Sequence, residues 1–483
     1  MALEKLSPKQ VWQHFEELCN IPRPSKHEAQ AGEYVIAFAQ KHSLYCEKDR
    51  VGNIVIRKPA AKGKESKPMI TLQAHLDMVP QKNSDTVHDF TKDPIKPQID
   101  GEWVKASGTT LGADNGIGVA AALALLESDD VAHGPIEALF TIDEETGMTG
   151  AFGLEEGFLK GSVLLNLDSE EFGEIIVGCA GGINTIATFN YFTETVSGDV
   201  KAYKLCLTGL KGGHSGVDIH LGRANANKLL NRFMWNAEHF FGMRICSING
   251  GNMRNAIPRE AFAEVTIPSN FADDFIKSVQ NFQHIYQEEF ASVETGLSFA
   301  AKEIPTPSTW IDKNTSEKLL DSVYAIPNGI IRMIPEMPDV VETSTNLAIV
   351  KSDDANKTIQ VVSLLRSSVD SAKKDLCNMV ESIFDMAHAC TVHEGDYPGW
   401  KPDFKAPVLQ TMKSVYLSMY GELPQIKVIH AGLECGIIGS LYPTMQMASF
   451  GPTIKYPHSP DEKVNIASVE NFWNYLVKIV EGV

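Results

Sequence analysis

The sequence predicts an α/β protein: a mixed, largely parallel sheet with helices on both faces, carrying an inserted α+β lid domain. Helix and strand patterns alternate through the first 180 residues and again through the last 75, as in proteins built on parallel sheets. The middle of the chain differs, because strand patterns there are followed by long amphipathic helices. We therefore expect residues 1–184 and 396–483 to form one catalytic-type sheet domain and residues 185–395 to form the inserted lid.

The first part of the chain supplies the clearest elements. Apolar residues at helical spacing predict helices over 8–21, 27–42 and 115–128. Short alternating or apolar runs predict strands over 51–58, 68–77, 136–145 and 163–171.

The middle of the chain contains two similar rounds of strands, helix and strand. In the first round, strands that meet at a GGN turn precede a helix over 273–293 and a strand over 296–304. In the second round, strands over 340–352 and 358–369 precede a helix over 371–389 and a further strand. We interpret the insertion as a degenerate duplication of one α+β unit. A Pro/Gly-rich linker, GDYPGWKPDFKAP, then leads back to the α/β pattern.

Composition excludes several classes of protein. The net charge of −18, without clustered Lys and Arg, argues against a nucleic-acid partner. The longest apolar run, about 10 residues, is half of what crosses a bilayer, so we expect no membrane partner. Eight scattered cysteines without a C-x-x-C pair predict reduced thiols, and the N-terminus lacks the apolar region of a secretory signal. These features predict a cytoplasmic protein.

Hard metal ligands recur at the ends of the predicted elements, which is where open α/β sheets bind ligands. The positions are His75 and Asp77 after one strand, Asp114 before a helix, Glu144 and Glu145 after a second strand, Asp168 after a third, and His458 in a late Pro-rich loop. A lone histidine or acidic residue at such a place is usually a cap or a turn former. Their recurrence at four element ends favours a metal site.

The types of ligand limit the metal. Imidazoles with several carboxylates and no thiolate suit zinc, manganese or cobalt. Three carboxylates are too many for one catalytic zinc, but they suit two ions that share a bridging carboxylate. We expect two divalent ions, zinc by preference, with Co²⁺ or Mn²⁺ as alternatives.

Spacing assigns some roles and leaves others open. Residues i and i+2 of a strand point to one side, so Asp77 can reach the His75 ring and fix its tautomer. Glu144 and Glu145 diverge, so one can ligate while the other acts as a general base. Spacing does not say which glutamate does which.

Six motifs in this order and spacing resemble the co-catalytic metallopeptidase family M20: HLD, GADNG, DEETG, NLDSEE, GGHSG and PHSPDE. Within that family the chain resembles the bacterial aminoacyl-histidine dipeptidases. The similarity runs from the first helix to the last and includes the segments RNAIPREAF and HAGLECG.

The resemblance implies a ligand set. Asp114 would be the bridging ligand, His75 and Asp168 would complete one metal site, and Glu145 and His458 would complete the other. Glu144 would be the general base that activates a bridging hydroxide, and Asp77 would be the partner of His75.

The resemblance also implies substrate contacts from the insertion. His214 would stabilise the oxyanion that develops on the scissile carbonyl. Asn255 would be a further contact, and Arg366 would bind the substrate carboxylate through its planar guanidinium. Without the resemblance, these residues would be interpreted as a glycine-flanked loop residue, a turn former and an exposed cation.

The expected function is hydrolysis of small dipeptides, Xaa-His substrates and β-alanyl-histidine types among them. An N-acyl amino acid hydrolase or a tripeptidase of similar layout is one alternative, and a non-catalytic metal-dependent binding protein is another. The substrate partner would be a small peptide. The resemblance also bears on a homodimer. In many members of the family the lid is a single α+β unit, and the dimer partner lends residues to the site. If the insertion here is duplicated, its second half could take the place of the partner's lid, and a homodimer would be possible but not required for catalysis.

Overall fold

The computed structural model describes residues 3–483 and divides them into two units. The first unit comprises the chain up to Cys179 together with Trp400–Val428 and Leu433–Val483. The second unit comprises Ala180–Gly399 and the short segment Ile429–Gly432. The insertion was predicted over 185–395, so the second unit starts five residues earlier, ends four residues later and includes a segment from the C-terminal part of the chain.

The N-terminal part of the first unit contains four helices and eight strands. The helices are α1 Lys9–Cys19, α2 Ala29–Lys41, α3 Ala113–Glu127 and α4 Thr149–Phe152. The strands are β1 Tyr45–Lys48, β2 Ile54–Lys58, β3 Ile70–His75, β4 Gln98–Asp100, β5 Trp103–Lys105, β6 Ile136–Thr141, β7 Val163–Asn166 and β8 Glu174–Cys179.

The elements between β8 and residue 399 alternate strands with four helices. The strands are β9 Gly181–Asn190, β10 Thr193–Thr195, β11 Val200–Thr208, β12 Gly213–His214, β13 Arg244–Gly250, β14 Ala256–Ile257, β15 Ala261–Pro268, β16 Ser298–Ile304, β17 Thr309–Ile311, β18 Gly329–Ile334, β19 Met337–Asp353, β20 Thr358–Ser367 and β21 Cys390–Tyr397. The helices are α5 Ala226–Phe241, α6 Ala272–Glu289, α7 Lys313–Ala325 and α8 Asp370–Met386.

The C-terminal part completes the first unit. Its helices are α9 Pro407–Tyr420, α10 Glu434–Leu441 and α11 Ile466–Gly482. Its strands are β22 Gln425–Ile429, β23 Gln446–Ser449, β24 Ile454–Lys455 and β25 Lys463–Asn465.

The main sheet of the first unit has eight strands in the order β1–β2–β6–β3–β7–β23–β8–β22. Its four central strands are parallel, because β3 pairs in parallel with β6 and β7, and β7 pairs in parallel with β23. Antiparallel pairing begins at β2 on one side and at β8 on the other. The predicted fold class is confirmed.

Three of the central strands are buried along their whole length, and α3 is buried up to its last residue. All residues of β3, β6 and β7 are buried. In α3 the apolar run Ile117–Leu126 is buried on every side, and the helix packs against β3 and α1. A helix that is apolar all round needs such burial. This rigid layer supports the loops that follow the carboxyl ends of the strands.

The second unit is built on one large antiparallel sheet in the order β16–β11–β15–β13–β19–β20–β9–β21. From the central β13–β19 pair outward, each half consists of a hairpin, then an earlier strand, then a strand that follows a helix. This matching order supports the predicted duplication, which stays a prediction. The core of this unit packs α5, α6 and α8 side chains such as Phe233, Phe275 and Phe384 with apolar residues of the sheet.

Two further properties bear on the composition argument. In the described part of the chain, no helix combines the length and the apolar character needed to span a membrane. All eight cysteines lie in the described part of the chain, and they form no disulfide bond there.

Candidate metal centre and candidate substrate-binding residues

Three neighbouring parallel strands carry the predicted ligands at their carboxyl ends. His75 is the last residue of β3, Glu144 and Glu145 lie in the turn after β6, and Asp168 lies two residues after β7. These strands end at the same edge of the sheet, so their loops converge there. Asp114 joins them from the start of α3, where its backbone angles are not helical.

The Asp114 carboxylate lies between two imidazoles. Its Oδ1 is 3.2 Å from His75 Nε2, and its Oδ2 is 3.2 Å from His458 Nε2. Each imidazole nitrogen faces a second carboxylate as well. His75 Nε2 is 3.2 Å from Asp168 Oδ1, and His458 Nε2 is 3.0 Å from Glu145 Oε2. The arrangement is two nitrogen–carboxylate pairs joined through one shared carboxylate.

Asp77 connects two parts of this cluster. Its Oδ1 is 3.3 Å from His75 Nδ1, the ring nitrogen that faces away from Asp114. The same carboxylate accepts the backbone N–H groups of Glu144 at 3.0 Å and Glu145 at 3.2 Å, as well as the Ser25 hydroxyl at 2.7 Å. Asp77 therefore orients both the imidazole and the glutamate turn. The strand predicted through residue 77 ends at His75, so loop geometry and not strand alternation brings the two side chains together.

The two neighbouring glutamates differ in position. Among the described residues, His75, Asp114 and Glu145 offer ligand atoms that all lie within 4.8 Å of one another, whereas Glu144, Asp168 and His458 are outside this group. The strands predicted through Glu145 and Asp168 end earlier, at Thr141 and Asn166. Both acidic positions thus lie in loops, which lets adjacent side chains take different directions.

The electrostatics of the cluster are dominated by its excess of carboxylates. Burial by itself lowers the pKa of His75, but Asp168, Asp114 and Asp77 raise it well above the usual range. Hydrogen bonds to Asp114 and Glu145 raise the pKa of His458 to about 11. Burial raises the pKa of Asp168 to about 6. Without a cation, the imidazoles are the counter-ions of the carboxylates.

The donors present fit a metal centre. Two imidazoles and three carboxylates suit zinc, manganese or cobalt. The Glu145 Oε1 atom is buried without a hydrogen-bond partner among the described residues, which is costly for an isolated carboxylate oxygen. A divalent cation would satisfy that oxygen and offset the repulsion among the carboxylates.

The second unit holds the three predicted substrate contacts. His214 is on β12 and pairs in register with Ala256 on β14, beside Asn255. The Asn255 carbonyl accepts the Ser215 N–H at 2.8 Å. The ring nitrogen Nδ1 of His214 accepts backbone N–H groups of Gly216 and Val217 at 3.2 and 3.0 Å, so Nε2 carries the proton of the neutral ring. His214 and Asn255 are thus brought together by one small hairpin.

Arg366 is buried on β20 and was predicted to bind a carboxylate. Its Nη1 donates to the Tyr397 hydroxyl at 2.8 Å. Its Nε is buried without a hydrogen-bond partner among the described residues. A buried guanidinium with an unused donor is suited to an anionic ligand.

His430 joins these residues although sequence reasoning gave it no role. It lies in the short segment 429–432 that belongs to the second unit, and its Nε2 is 2.7 Å from the Ser344 hydroxyl. Ser344 pairs in register with Arg366. A Cβ at Gly216 would lie 2.0 Å from the His430 carbonyl oxygen, so glycine permits this approach beside His214. His430 is the first residue of the motif HAGLECG, so the sequence contained a signal for this segment. The motif alone did not indicate a role for His430.

Comparison with known proteins identifies the family. Residues 71–482 match peptidase family M20/M25/M40. The chain belongs to this family. The predicted family and the assignment as a peptide-bond hydrolase are thereby confirmed.

Two relatives of the M20 chain match it over its full length. One is the cytosol non-specific dipeptidase of Escherichia coli K12, 46% identical over 481 residues that cover 100% of this chain and 99% of the relative. The other is the crystal structure of aminoacylhistidine dipeptidase from Vibrio alginolyticus, with a TM-score of 0.96, 46% identity and coverage of 100% and 98% of the two chains. The aminopeptidase PepT of Bacillus cereus, at 16% identity, a TM-score of 0.58 and 99% coverage of each chain, shares the fold.

Two buried residues that sequence reasoning missed hold the Asp114 loop of this M20 chain. Glu462 accepts the backbone N–H groups of four consecutive residues, Leu111–Asp114, at 2.8–3.3 Å. Arg23 donates to the carbonyls of Leu76 and Asp77 at 3.0 and 2.9 Å, and to that of Gly112 at 2.5 Å. Glu462 is the last residue of the motif PHSPDE, so the sequence contained a signal for its importance. Arg23 lies outside every quoted motif.

Proposed function

We propose that this chain is a two-metal dipeptidase whose substrates include Xaa-His dipeptides such as β-alanyl-histidine. One observation carries the proposal: the Asp114 carboxylate lies 3.2 Å from each of two imidazoles, and each imidazole faces a further carboxylate. The names of two full-length relatives support the substrate class, since both are dipeptidases. One of those names is non-specific and the other specifies aminoacyl-histidine, so we propose a broad range that contains histidine-ending substrates.

The proposed ligands divide into two sets around Asp114. His75 and Asp168 would complete one site, and Glu145 and His458 would complete the other. We propose zinc, with cobalt and manganese as chemically acceptable substitutes. When bound, the cations would lower the pKa of a water molecule and polarise the peptide carbonyl.

Glu144 is the proposed general base. Its carboxylate would take the proton of the attacking water and deliver it to the leaving amine nitrogen. Asp77 supports this role indirectly, because it holds the Glu144 backbone N–H at 3.0 Å and the His75 ring at 3.3 Å. One carboxylate thereby sets the position of the base relative to a ligand.

The proposed substrate contacts lie in the second unit. His214 keeps its Nε2–H free to donate to a developing oxyanion, because its Nδ1 already accepts two backbone N–H groups. Arg366 would bind the terminal carboxylate of the dipeptide with the donors that Tyr397 does not use. Asn255 would be a further polar contact on the hairpin that carries His214.

The proposed compartment is the cytoplasm. The name of the Escherichia coli relative, a cytosol dipeptidase, supports it, and the lack of disulfide bonds among the described cysteines is compatible with reducing conditions. The proposed partner is a small peptide.

Metal analysis combined with a substrate panel tests the proposal. Salt-washed active protein should contain about two equivalents of divalent metal per chain, and chelation should abolish hydrolysis of free dipeptides. The panel should include β-alanyl-histidine, other dipeptides, tripeptides and N-acetyl amino acids. One metal equivalent with full activity would contradict the shared site. A preference for N-acetyl amino acids would favour an N-acyl amino acid hydrolase, and a preference for tripeptides would favour a tripeptidase. Metal binding without hydrolysis would favour a binding protein.

A further inference from the structure

A buried carboxyl group lies beneath the ligand loops and takes no part in the proposed chemistry. Glu434 is near the start of α10 and is 1% exposed. Its Oε2 accepts the side-chain N–H of Gln73 at 2.6 Å and the hydroxyl of Thr141 at 2.7 Å. Gln73 also donates to the Thr141 hydroxyl at 3.2 Å, so the three side chains form a closed triangle.

The partners of Glu434 belong to the strands that carry the ligands. Gln73 is two residues before His75 on β3, and Thr141 is the last residue of β6, before the glutamate turn. Gln73 Oε1 accepts the side-chain N–H of Asn166, two residues before Asp168 on β7. Through these hydrogen bonds, the Glu434 side chain connects the C-terminal ends of β6, β3 and β7.

Stability by itself does not account for a carboxyl group at this place. The backbone ladders already join the three strands. Glu434 Oε1 is buried without a hydrogen-bond partner among the described residues. Burial of a carboxyl group with an unused oxygen is unfavourable compared with an apolar side chain of similar volume.

We infer that Glu434 is a positioning residue of the metal centre, which sets the separation of the three ligand-bearing strand ends through Gln73, Thr141 and Asn166. The inference rests on the proposed function, because it assumes that His75, Glu145 and Asp168 ligate metal. Glu434 itself is not a ligand in this inference. It acts through side chains that precede the ligands by two residues or by one short turn.

The ionisation of Glu434 is consistent with a role in positioning. Burial raises its pKa to about 8, against the opposing effects of His75 and Thr141. Burial thereby favours the neutral acid. The hydrogen bonds from Gln73 and Thr141 are both accepted by one oxygen, Oε2, so the carbonyl oxygen of a glutamine can replace it.

Two substitutions of Glu434 distinguish the effect of its acceptor oxygen from the effect of its side-chain volume. Glu434→Gln keeps one acceptor oxygen for Gln73 and Thr141, whereas Glu434→Leu keeps the approximate volume and removes the acceptor. Partners of metal ligands are usually worth about 10–100-fold in metal affinity. We expect Glu434→Leu to raise the Kd for Zn²⁺ by about that factor and Glu434→Gln to change it by less than about threefold, measured by competition with a chelator.

Glu137 provides a matched control at the opposite end of the same strands. It is a fully buried carboxylate on β6 that accepts the Thr71 hydroxyl of β3 at 2.9 Å and the Arg57 side chain at 2.8 Å. Glu137→Leu should lower the melting temperature without changing the Kd for Zn²⁺. An equal loss of metal affinity in Glu137→Leu and Glu434→Leu would overturn the inference, since it would reduce the effect to general destabilisation.

Thr141→Val is the second test if Glu434→Leu does not fold. It removes one donor from the triangle with little change in shape, and we expect a rise in Kd of several-fold, about 1 kcal/mol for one hydrogen bond. An unchanged Kd in this variant, or in a folded Glu434→Leu, would overturn the positioning role. A wild-type protein that binds no Zn²⁺ would instead refute the proposed function, so the two failures are distinguishable.

Discussion

Each of the two units contains a cluster of candidate functional residues, and the pKa values of the histidines are raised in one cluster and lowered in the other. In the first unit, His75 and His458 are surrounded by carboxylates, which raise the pKa of His458 to about 11. In the second unit, burial and the nearby Arg366 and His214 lower the pKa of His430 to about 3. Burial and Arg366 also lower the pKa of His214.

The difference teaches that the neighbours of an imidazole decide its role. A protonated imidazole among carboxylates supplies the positive charge that a metal cation would otherwise supply, which is the environment of a ligand. An imidazole beside a guanidinium stays neutral and keeps one N–H to donate. The first cluster therefore suits a cation, and the second suits an anion.

The largest expected effect comes from substitution of Glu144, the proposed general base. Glu144→Gln should reduce turnover by roughly 10²–10⁴-fold, the usual contribution of a general base, while metal content stays near that of wild type. Steady-state kinetics and elemental analysis of the same preparation check this. Loss of metal together with activity would show that Glu144 is a ligand.

Glu145→Gln should have the complementary phenotype. Glu145 Oε2 is 3.0 Å from His458 Nε2, and Glu145 is one of the three residues that could hold an ion together. If it is a ligand, metal affinity should fall by at least about 100-fold, because even partners of ligands are worth 10–100-fold. Excess metal should restore part of the activity. A variant that keeps its metal but loses turnover would reverse the roles of the two glutamates.

In the second unit, Arg366→Ala should weaken the binding of substrate and leave the metal content unchanged. A charge-assisted contact is worth about 1.5–3 kcal/mol, so KM for free dipeptides should rise by roughly 10–100-fold. Dipeptide amides, which lack the carboxylate, should be poor substrates of the wild type and should be barely affected by the substitution. Equal losses for dipeptides and amides would rule out the carboxylate contact.

Tyr397→Phe should give a smaller change of the same kind. It removes the hydroxyl that accepts Arg366 Nη1 at 2.8 Å and keeps the ring. One hydrogen bond of about 0.5–1.5 kcal/mol predicts a rise in KM of about 2–10-fold for free dipeptides. Arg366→Ala combined with Tyr397→Phe should be no worse than Arg366→Ala alone, and additive effects would show that Tyr397 acts elsewhere.

The last prediction concerns stability instead of activity: it is the pH dependence of unfolding that His430 contributes. Its pKa in the folded protein, about 3, is below the ordinary value near 6.5, so the unfolded chain binds the proton first as pH falls. The contribution is present above about pH 6.5 and is lost progressively towards pH 3, at no more than about 1.4 kcal/mol per pH unit.

His430→Gln should therefore lose less stability than the wild type between pH 6.5 and 4, measured by urea unfolding. His284→Gln, an exposed position on α6, controls for the loss of an imidazole. Parallel stability curves for His430→Gln and the wild type would contradict a neutral buried His430.

The sequence by itself determined the architecture and the positions of the candidate ligands. Apolar runs such as Val163–Leu165 have the composition of buried parallel strands, and the polar residue that follows such a run marks its carboxyl end. Because parallel strands end at one edge, side chains far apart in the chain could be expected to converge. The resemblance of the motifs then identified the family.

Only the tertiary structure decided which atoms meet. Glu434 and Gln73 are 361 residues apart, and nothing in either local pattern relates them. Likewise, the order β6–β3–β7 determines that Thr141, Gln73 and Asn166 are neighbours, and the segment Ile429–Gly432 brings His430 to Arg366. Local patterns report how a segment is buried, whereas hydrogen bonds between distant side chains depend on the order and register of the strands.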